Sequence, residues 1–77
     1  MNEIKVTLHG GLNRFANRPK TSKLEIKEEA TINGICEKLG LSDKDVYLAK
    51  LDQDTAKLAE KIGKGKEVDL YPIFGGG

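Results

Sequence analysis

The sequence predicts an α+β domain in which one helix packs across a mixed sheet of four to five strands. Two observations support this prediction. Apolar and polar residues alternate near both ends of the chain, and one central segment carries apolar residues at helical spacing. No linker or internal repeat divides the 77 residues. A single two-layer domain with one modest core follows.

The first two strands are predicted from alternation of apolar residues with charged or polar ones, the pattern of a strand with one buried face. Their apolar residues are Ile4, Val6, Leu8, Leu24 and Ile26. The segment between them, residues 12–19, has the turn-forming composition of a wide hairpin loop. Leu12 and Phe15 are expected to cover an edge of the core from this loop.

A helix is predicted to follow Thr31, whose side chain is suited to cap it. Four apolar residues then recur at helical spacing and share one face: Ile32, Ile35, Cys36 and Leu39. Gly40 supplies a C-terminal stop. Gly34 costs the helix about 0.5 to 1 kcal/mol relative to alanine, so we expect the helix to depend on docking against the sheet.

The second half of the chain predicts further strands. Val46, Leu48 and Leu51 indicate a third strand, and residues 52–54 a turn. Residues 55–62 suit either a short helix or a brief strand, and we favour a short strand followed by a tight helical turn. Residues 63–66 have the composition of another turn.

The last strand is predicted from Val68, Leu70 and Pro72, which alternate with Asp69, Tyr71 and Ile73. Pro72 has no N–H to donate, so it should lie at the end of the strand or on an unpaired side. The resulting order is strand, strand, helix, strand, short element, strand, which is the β-grasp arrangement with a crossover of the usual hand. We expect residues 1–73 to form this domain and residues 74–77 to form a flexible C-terminal glycine tail.

Composition narrows the classes of function. Thirteen Lys and Arg against twelve Asp and Glu give a net charge of +1 without long runs of like charge, which disfavours nucleic acid or a membrane as the main partner. The lone cysteine predicts neither a disulfide nor a metal site. Residues 1–10 lack the apolar run of a signal peptide. We expect a cytoplasmic protein that binds no cofactor and no metal.

Several other residues favour structural roles. Cys36 lies on the apolar stripe of the predicted helix, where free cysteine packs as a small hydrophobe. His9 is expected at the surface, because no Asp, Cys or Ser is spaced as a recognisable partner. For Arg14, Arg18, Lys20 and Lys23, solvated loop charge is favoured over contact with RNA phosphates or an acidic partner. The lysines of residues 57–66 suit solubility and the steering of an acidic partner enzyme equally well. No set of residues forms a nucleophile and base pair, so enzymatic activity is not expected.

The chain ends in Phe74-Gly75-Gly76-Gly77, and such an ending can carry chemistry at its backbone carboxylate rather than at a side chain. A backbone carboxylate can be activated by ATP to an acyl adenylate and captured by a sulfur nucleophile. Four extended residues reach about 13 Å at ~3.3 Å per residue, which suffices to thread a narrow channel. Glycine suits such a channel because it carries no Cβ. A disordered end or a remnant of cloning is the alternative interpretation.

Residues 66–77 resemble the ending of the ThiS and MoaD sulfur carriers, ubiquitin-like β-grasp proteins that close with a turn, a strand, a proline-containing exit and a glycine pair. The early segment Leu12-Asn13-Arg14-Phe15-Ala16 and the Thr-capped helix also look like this family. Lys66 stands where the family usually has Asp, Asp52-Gln53 where a hairpin Asn is common, and three glycines where two are typical. We take Gly77 as the true terminus.

The resemblance implies a carrier whose Gly77 is adenylated and converted to a thiocarboxylate, with Gly75 and Gly76 threading the partner's channel. Tyr71, Ile73 and Phe74, expected outward on or beyond the last strand, would bind the partner. Implied partners are a ThiF/MoeB-like adenylating enzyme that uses ATP, a sulfurtransferase, and a MoaE-like or ThiG-like synthase.

The pathway stays open among molybdopterin, thiazole, tRNA thiolation and cysteine synthesis. The Tyr71-Pro72-Ile73 exit favours a MoaD-like role. Two alternatives to a carrier are a protein modifier joined to lysines through Gly77, and an interaction domain that is never activated.

Overall fold

The computed structural model describes residues 2–72. Its five strands are β1 (Asn2–Leu8), β2 (Thr21–Ile26), β3 (Val46–Leu51), β4 (Asp54–Ala56) and β5 (Glu67–Pro72), and its two helices are α1 (Leu12–Phe15) and α2 (Ile32–Lys38). The strands form one sheet in the order β2-β1-β5-β3-β4. β1 and β5 are parallel, and the other neighbouring strands are antiparallel. The predicted α+β class with a mixed sheet is confirmed.

The core lies on the face of the sheet that receives α2. The apolar residues predicted for β1 and for the helix stripe are all buried, and so are Val68 and Leu70 of β5. Cys36 is fully buried, as predicted for core packing, and burial raises the pKa of its thiol to about 11. No polar or charged side chain among residues 2–72 is buried in this core.

α2 begins and ends where the sequence predicts. The Thr31 hydroxyl oxygen accepts a hydrogen bond from the Gly34 N–H at 3.1 Å, which satisfies one of the N–H groups that a helix start leaves unpaired. Gly40 follows the helix with a φ of +79°, the left-handed conformation that glycine adopts without a steric penalty.

The segment after β4 agrees with the prediction in part. β4 is the favoured short strand, and a single hydrogen-bonded turn follows it, in which the Glu60 N–H donates to the Lys57 carbonyl at 3.0 Å, but no helix forms within residues 57–66. Instead the Leu58 and Glu60 carbonyls accept from the N–H groups of Asn33 and Ile32, at 2.8 and 3.1 Å. Residues 58–60 thus cap the start of α2, and a longer helix here would use those carbonyls for its own hydrogen bonds.

The predicted loop of residues 12–19 is also only partly right. One turn of helix, α1, forms at its start, with the Ala16 N–H donating to the Leu12 carbonyl at 3.0 Å. Leu12 is fully buried, as expected, whereas Phe15 is 58% exposed and does not cover the core. No helix within residues 2–72 has the length and apolar content that crossing a membrane requires.

The β3–β4 turn is tied to the start of β5 through Asp52. Asp52 and Gln53 have φ values of +50° and +75°, as in a two-residue hairpin turn. The Asp52 carboxylate accepts from the N–H groups of Lys66 and Glu67, both at 2.9 Å. These two bonds favour the ionised form, so the pKa of Asp52 lies below its ordinary value of 3.8.

We predict that Asp52→Asn removes part of the acid sensitivity of the fold. A carboxyl whose pKa is lowered by folding stabilises the folded state at pH values above its ordinary pKa of 3.8. That stabilisation is lost as the pH falls through the folded-state pKa. The free energy of unfolding, measured with denaturant at pH 5 and again well below pH 4, should therefore fall less in the variant than in the wild type. Asp54→Asn, in the same hairpin, is the matched control and should behave as the wild type does.

Candidate functional site

The candidate site lies where β5 ends, because the glycine tail is expected to leave the domain there. β5 occupies the centre of the sheet, between β1 and β3. Pro72 is its last residue. Ile73, Phe74, Gly75, Gly76 and Gly77, all assigned a role from the sequence, lie outside the described residues 2–72. Pro72 is the last described residue before them, and we call it the root of the tail.

Residues that follow β1 pack against this root. The His9 N–H donates to the Leu70 carbonyl at 2.9 Å, and the His9 carbonyl accepts from the Leu12 N–H at 3.0 Å. β1, α1 and β5 are thereby joined through one residue. Gly10 adopts a φ of +61°, and a Cβ on it would lie 2.8 Å from the Pro72 Cγ. Only a glycine lets the backbone approach the proline this closely.

The face of the sheet turned away from α2 carries a polar and aromatic cluster at the root. His9 Nε2 lies 2.9 Å from an Asp69 carboxylate oxygen, and both side chains are partly buried. The His9 and Tyr71 rings stack with centroids 4.4 Å apart and planes 7° from parallel. Lys50 Nζ lies 5.7 Å from the Tyr71 ring centroid, within the range of a cation–π interaction.

An irregularity in β3 adds exposed apolar surface beside this cluster. Val46 pairs with Pro72 and Leu48 with Tyr71, which leaves Tyr47 as an extra residue between them. Such bulges occur often beside functional sites, where they redirect a side chain. Tyr47 is 76% exposed and Leu48 is partly buried. The bulge also shifts the phase of the strand, so Ala49 rather than Leu48 is buried beside Val46.

Together, His9, Tyr47, Leu48 and Tyr71 form a surface that we call the root face. It joins aromatic and apolar side chains beside Pro72. Such a surface is suited to bind a protein, because tyrosine combines a large apolar area with a polar end. Nothing in it forms a nucleophile with an adjacent base.

Sequence reasoning placed Tyr71 correctly on the outward side but missed its neighbours. The expectation that His9 has no partner was wrong, since Asp69 is that partner. The two residues are 60 positions apart, and only the parallel pairing of β1 with β5 brings them together. Alternation in each strand was the available signal, but it does not reveal which strands pair. No cluster of metal-binding side chains occurs within residues 2–72.

We predict that Gly10→Ala is more destabilising than Gly11→Ala. Both positions have positive φ, but a Cβ at Gly10 meets Pro72, whereas a Cβ at Gly11 meets nothing within 4 Å. Gly11→Ala should cost about 1 to 2 kcal/mol from backbone conformation alone. Gly10→Ala should cost about 1 to 3 kcal/mol more from steric crowding.

Denaturant unfolding of the two variants measures that difference. Equal free energies of unfolding would show that the contact between residue 10 and Pro72 does not constrain the root.

Comparison with known proteins agrees with the predicted family. A family model described as Mut7-C ubiquitin matches residues 1–76. No curated protein matches the chain in sequence. Together with the solved structures described next, the match confirms the predicted ubiquitin-like β-grasp fold.

Three solved structures share the fold. Small archaeal modifier protein 1 of H. volcanii is 18% identical, with a TM-score of 0.70 over 94% of this chain and 98% of that one. A second structure of this kind, SAMP1 from Haloferax volcanii, is 20% identical, with a TM-score of 0.71 over 99% and 100%. A candidate molybdopterin converting factor, subunit 1, from Pyrococcus furiosus is 13% identical, with a TM-score of 0.71 over 94% and 98%.

Proposed function

The chain belongs to the Mut7-C ubiquitin family, and on that premise we propose that it is a sulfur carrier. Its C-terminal Gly77 is the reactive residue, and the folded domain presents that residue to other proteins. The chain acts as a substrate and a carrier rather than as an enzyme. The observation that carries the proposal is the root face itself, a partly exposed aromatic and apolar surface beside Pro72, the last described residue before the glycine tail.

The proposed chemistry occurs at the carboxylate of a chain that ends at Gly77. A partner enzyme joins this carboxylate to ATP, forming an acyl adenylate and releasing pyrophosphate. A sulfur nucleophile at the oxidation level of sulfide then attacks the carbonyl carbon and displaces AMP, which leaves with one of the original oxygens. A thiocarboxylate remains, and a synthase consumes its sulfur. Cys36 is not the source of that sulfur, because it is fully buried and its pKa is raised to about 11.

The root face supplies the affinity that the tail lacks. Ordering a flexible glycine segment in a channel costs about 1 to 2 kcal/mol per residue in backbone entropy. Tyr71 and Tyr47 offset that cost by burying aromatic area on the partner. Asp69 holds the His9 ring, and the His9 ring stacks on Tyr71, so the Tyr71 ring is held in place before docking. Little side-chain entropy is therefore lost on binding.

The proposed partners are those of a carrier. They are a ThiF/MoeB-like adenylating enzyme, a sulfurtransferase, and a MoaE-like or ThiG-like synthase. Among pathways, molybdopterin synthesis is favoured, because the fold is shared with a candidate molybdopterin converting factor subunit and because the Tyr71-Pro72 exit resembles that group. We propose the cytoplasm as the place of action.

A protein modifier is the second candidate, and one observation favours it. Two of the structures with this fold are of a small archaeal modifier protein. In this reading the Gly77 adenylate is passed to a lysine amine, which displaces AMP and forms an isopeptide bond. Both functions begin with the same activation, so they differ only in the nucleophile that captures the carbonyl carbon.

We predict that the protein purified from its native cell carries a thiocarboxylate at Gly77. Exchange of one carboxylate oxygen for sulfur adds about 16 Da, which intact mass spectrometry resolves for a chain of 8.4 kDa. Fragmentation must place the added mass at Gly77, because oxidation of Met1 adds nearly the same mass. A variant that lacks Gly76 and Gly77 is the control and should carry none of it.

The alternatives give distinct results in the same preparation. Conjugates to lysine that resist reducing agent, with no thiocarboxylate, would establish the modifier. An unmodified tail, with normal growth of cells that carry the truncated variant, would overturn activation altogether.

A further inference from the structure

The β2 strand lies at one edge of the sheet, and its outer side pairs with no other strand of residues 2–72. Alternate residues of β2 face away from α2 and are exposed, among them Lys23 and Glu25. An unpaired edge is a template for another strand, and many proteins block it with charged side chains. The signs and positions of the charges therefore decide which strand the edge accepts.

Two of these charges are opposed by like charges within the sheet. In the antiparallel register of β1 with β2, Lys23 lies directly opposite Lys5, and Glu25 directly opposite Glu3. Like charges in this arrangement are destabilising. Neither Lys23 nor Glu25 forms an ion pair within residues 2–72. The salt bridge found there joins His9 to Asp69. β2 thus carries two charges that lie directly opposite like charges on β1, and opposite charges are found only at the diagonal positions, Glu3 for Lys23 and Lys5 for Glu25.

We propose that the free edge of β2 binds a second copy of this chain, in antiparallel pairing with Leu24 of one copy opposite Leu24 of the other. In that register Lys23 of each copy lies opposite Glu25 of the other copy, on the exposed face. Both residues, which face like charges directly across from them on β1, then gain a directly opposed residue of opposite charge. Continued along the chain, the same register brings Lys20 opposite Glu28.

The neighbouring registers that keep both helices on one side of the sheet are unfavourable. A shift by one step centres the pair on Lys23, which then lies opposite its own counterpart. The opposite shift centres it on Glu25 and also places Lys23 opposite Lys27. Directly opposed charges of one sign cost stability. Charge therefore selects the register centred on Leu24.

Apolar surface adds to this charge complementarity. A groove of about 430 Å³ lies between β2 and α2, and part of its lining is Ile26, Ala30, Gly34 and Ile35. A strand added beside β2 covers this groove. Since β2 has only six residues, the interface is small, and small interfaces form weak, reversible complexes. The root face lies on other strands, so the pairing leaves it accessible.

Charge reversal tests the proposal directly. Sedimentation equilibrium from about 10 μM to about 1 mM, the range in which weak complexes dissociate, should show the wild type moving from one chain of 8.4 kDa towards twice that mass. Lys23→Glu makes both central charges acidic, and Glu25→Lys makes both basic. Each variant alone should dimerise at least about tenfold more weakly. An equimolar mixture of the two should form a heterodimer.

These variants do not compromise the monomer. Lys23→Glu places an acid opposite Lys5, and Glu25→Lys places a base opposite Glu3, so each replaces repulsion with attraction inside the sheet. Lys44→Glu and Asp43→Lys, on an exposed loop, are the matched controls and should dimerise as the wild type does. Raising the salt to about 500 mM should weaken the wild-type dimer by screening.

Amide chemical shifts should locate the interface, with concentration-dependent changes confined to residues 20–28. A wild type that remains monomeric at 1 mM in low salt would overturn the proposal. So would a dimer that both charge reversals leave intact, since another surface would then be responsible.

Discussion

The parallel pairing of β1 with β5 is the interaction on which the rest of the molecule depends. It joins the two ends of the chain at the centre of the sheet, with Val6 beside Val68 and Leu8 beside Leu70. All four of these side chains are buried. Because parallel strands end at the same edge, the turn after β1 and the root of the tail come to lie together. The contacts of Gly10 with Pro72 and of His9 with Asp69 both result from this pairing.

Hydrogen bonds between segments that are distant in sequence help to order the connections between the strands and helices. Residues 58–60 lend two carbonyls to the start of α2, and Asp52 holds the β3–β4 turn against the start of β5. Each of these bonds joins segments on either side of a connection. A domain this small buries little apolar area, so these hydrogen bonds contribute substantially to the order of its loops.

Most elements could be predicted from the sequence, because each has a local signature. Alternation located β1 and β5, and Thr31 with Gly40 set the limits of α2. What the sequence did not reveal was nonlocal: the partner of His9, and the carbonyls after β4 that cap the start of α2. Likewise, the bulge at Tyr47 depends on how β3 pairs with β5, not on the composition of β3. The last strand and the outward side of Tyr71 could be predicted from the sequence. The residues around Tyr71 could not, because they are brought together by the pairing of β5 with β1 and β3.

The contact between Gly10 and Pro72 has a consequence for how the proposed carrier presents Gly77 to a partner. It anchors the chain at a fixed point of the sheet, so Gly77, five residues further on, stays within about 17 Å of that point at ~3.3 Å per residue. In the proposed carrier, a domain that has docked on its partner holds this end nearby, so capture of the end is an intramolecular event at an effective concentration in the millimolar range. On that proposal the partner enzyme needs little intrinsic affinity for glycine, and the same short tail can serve several partners in turn.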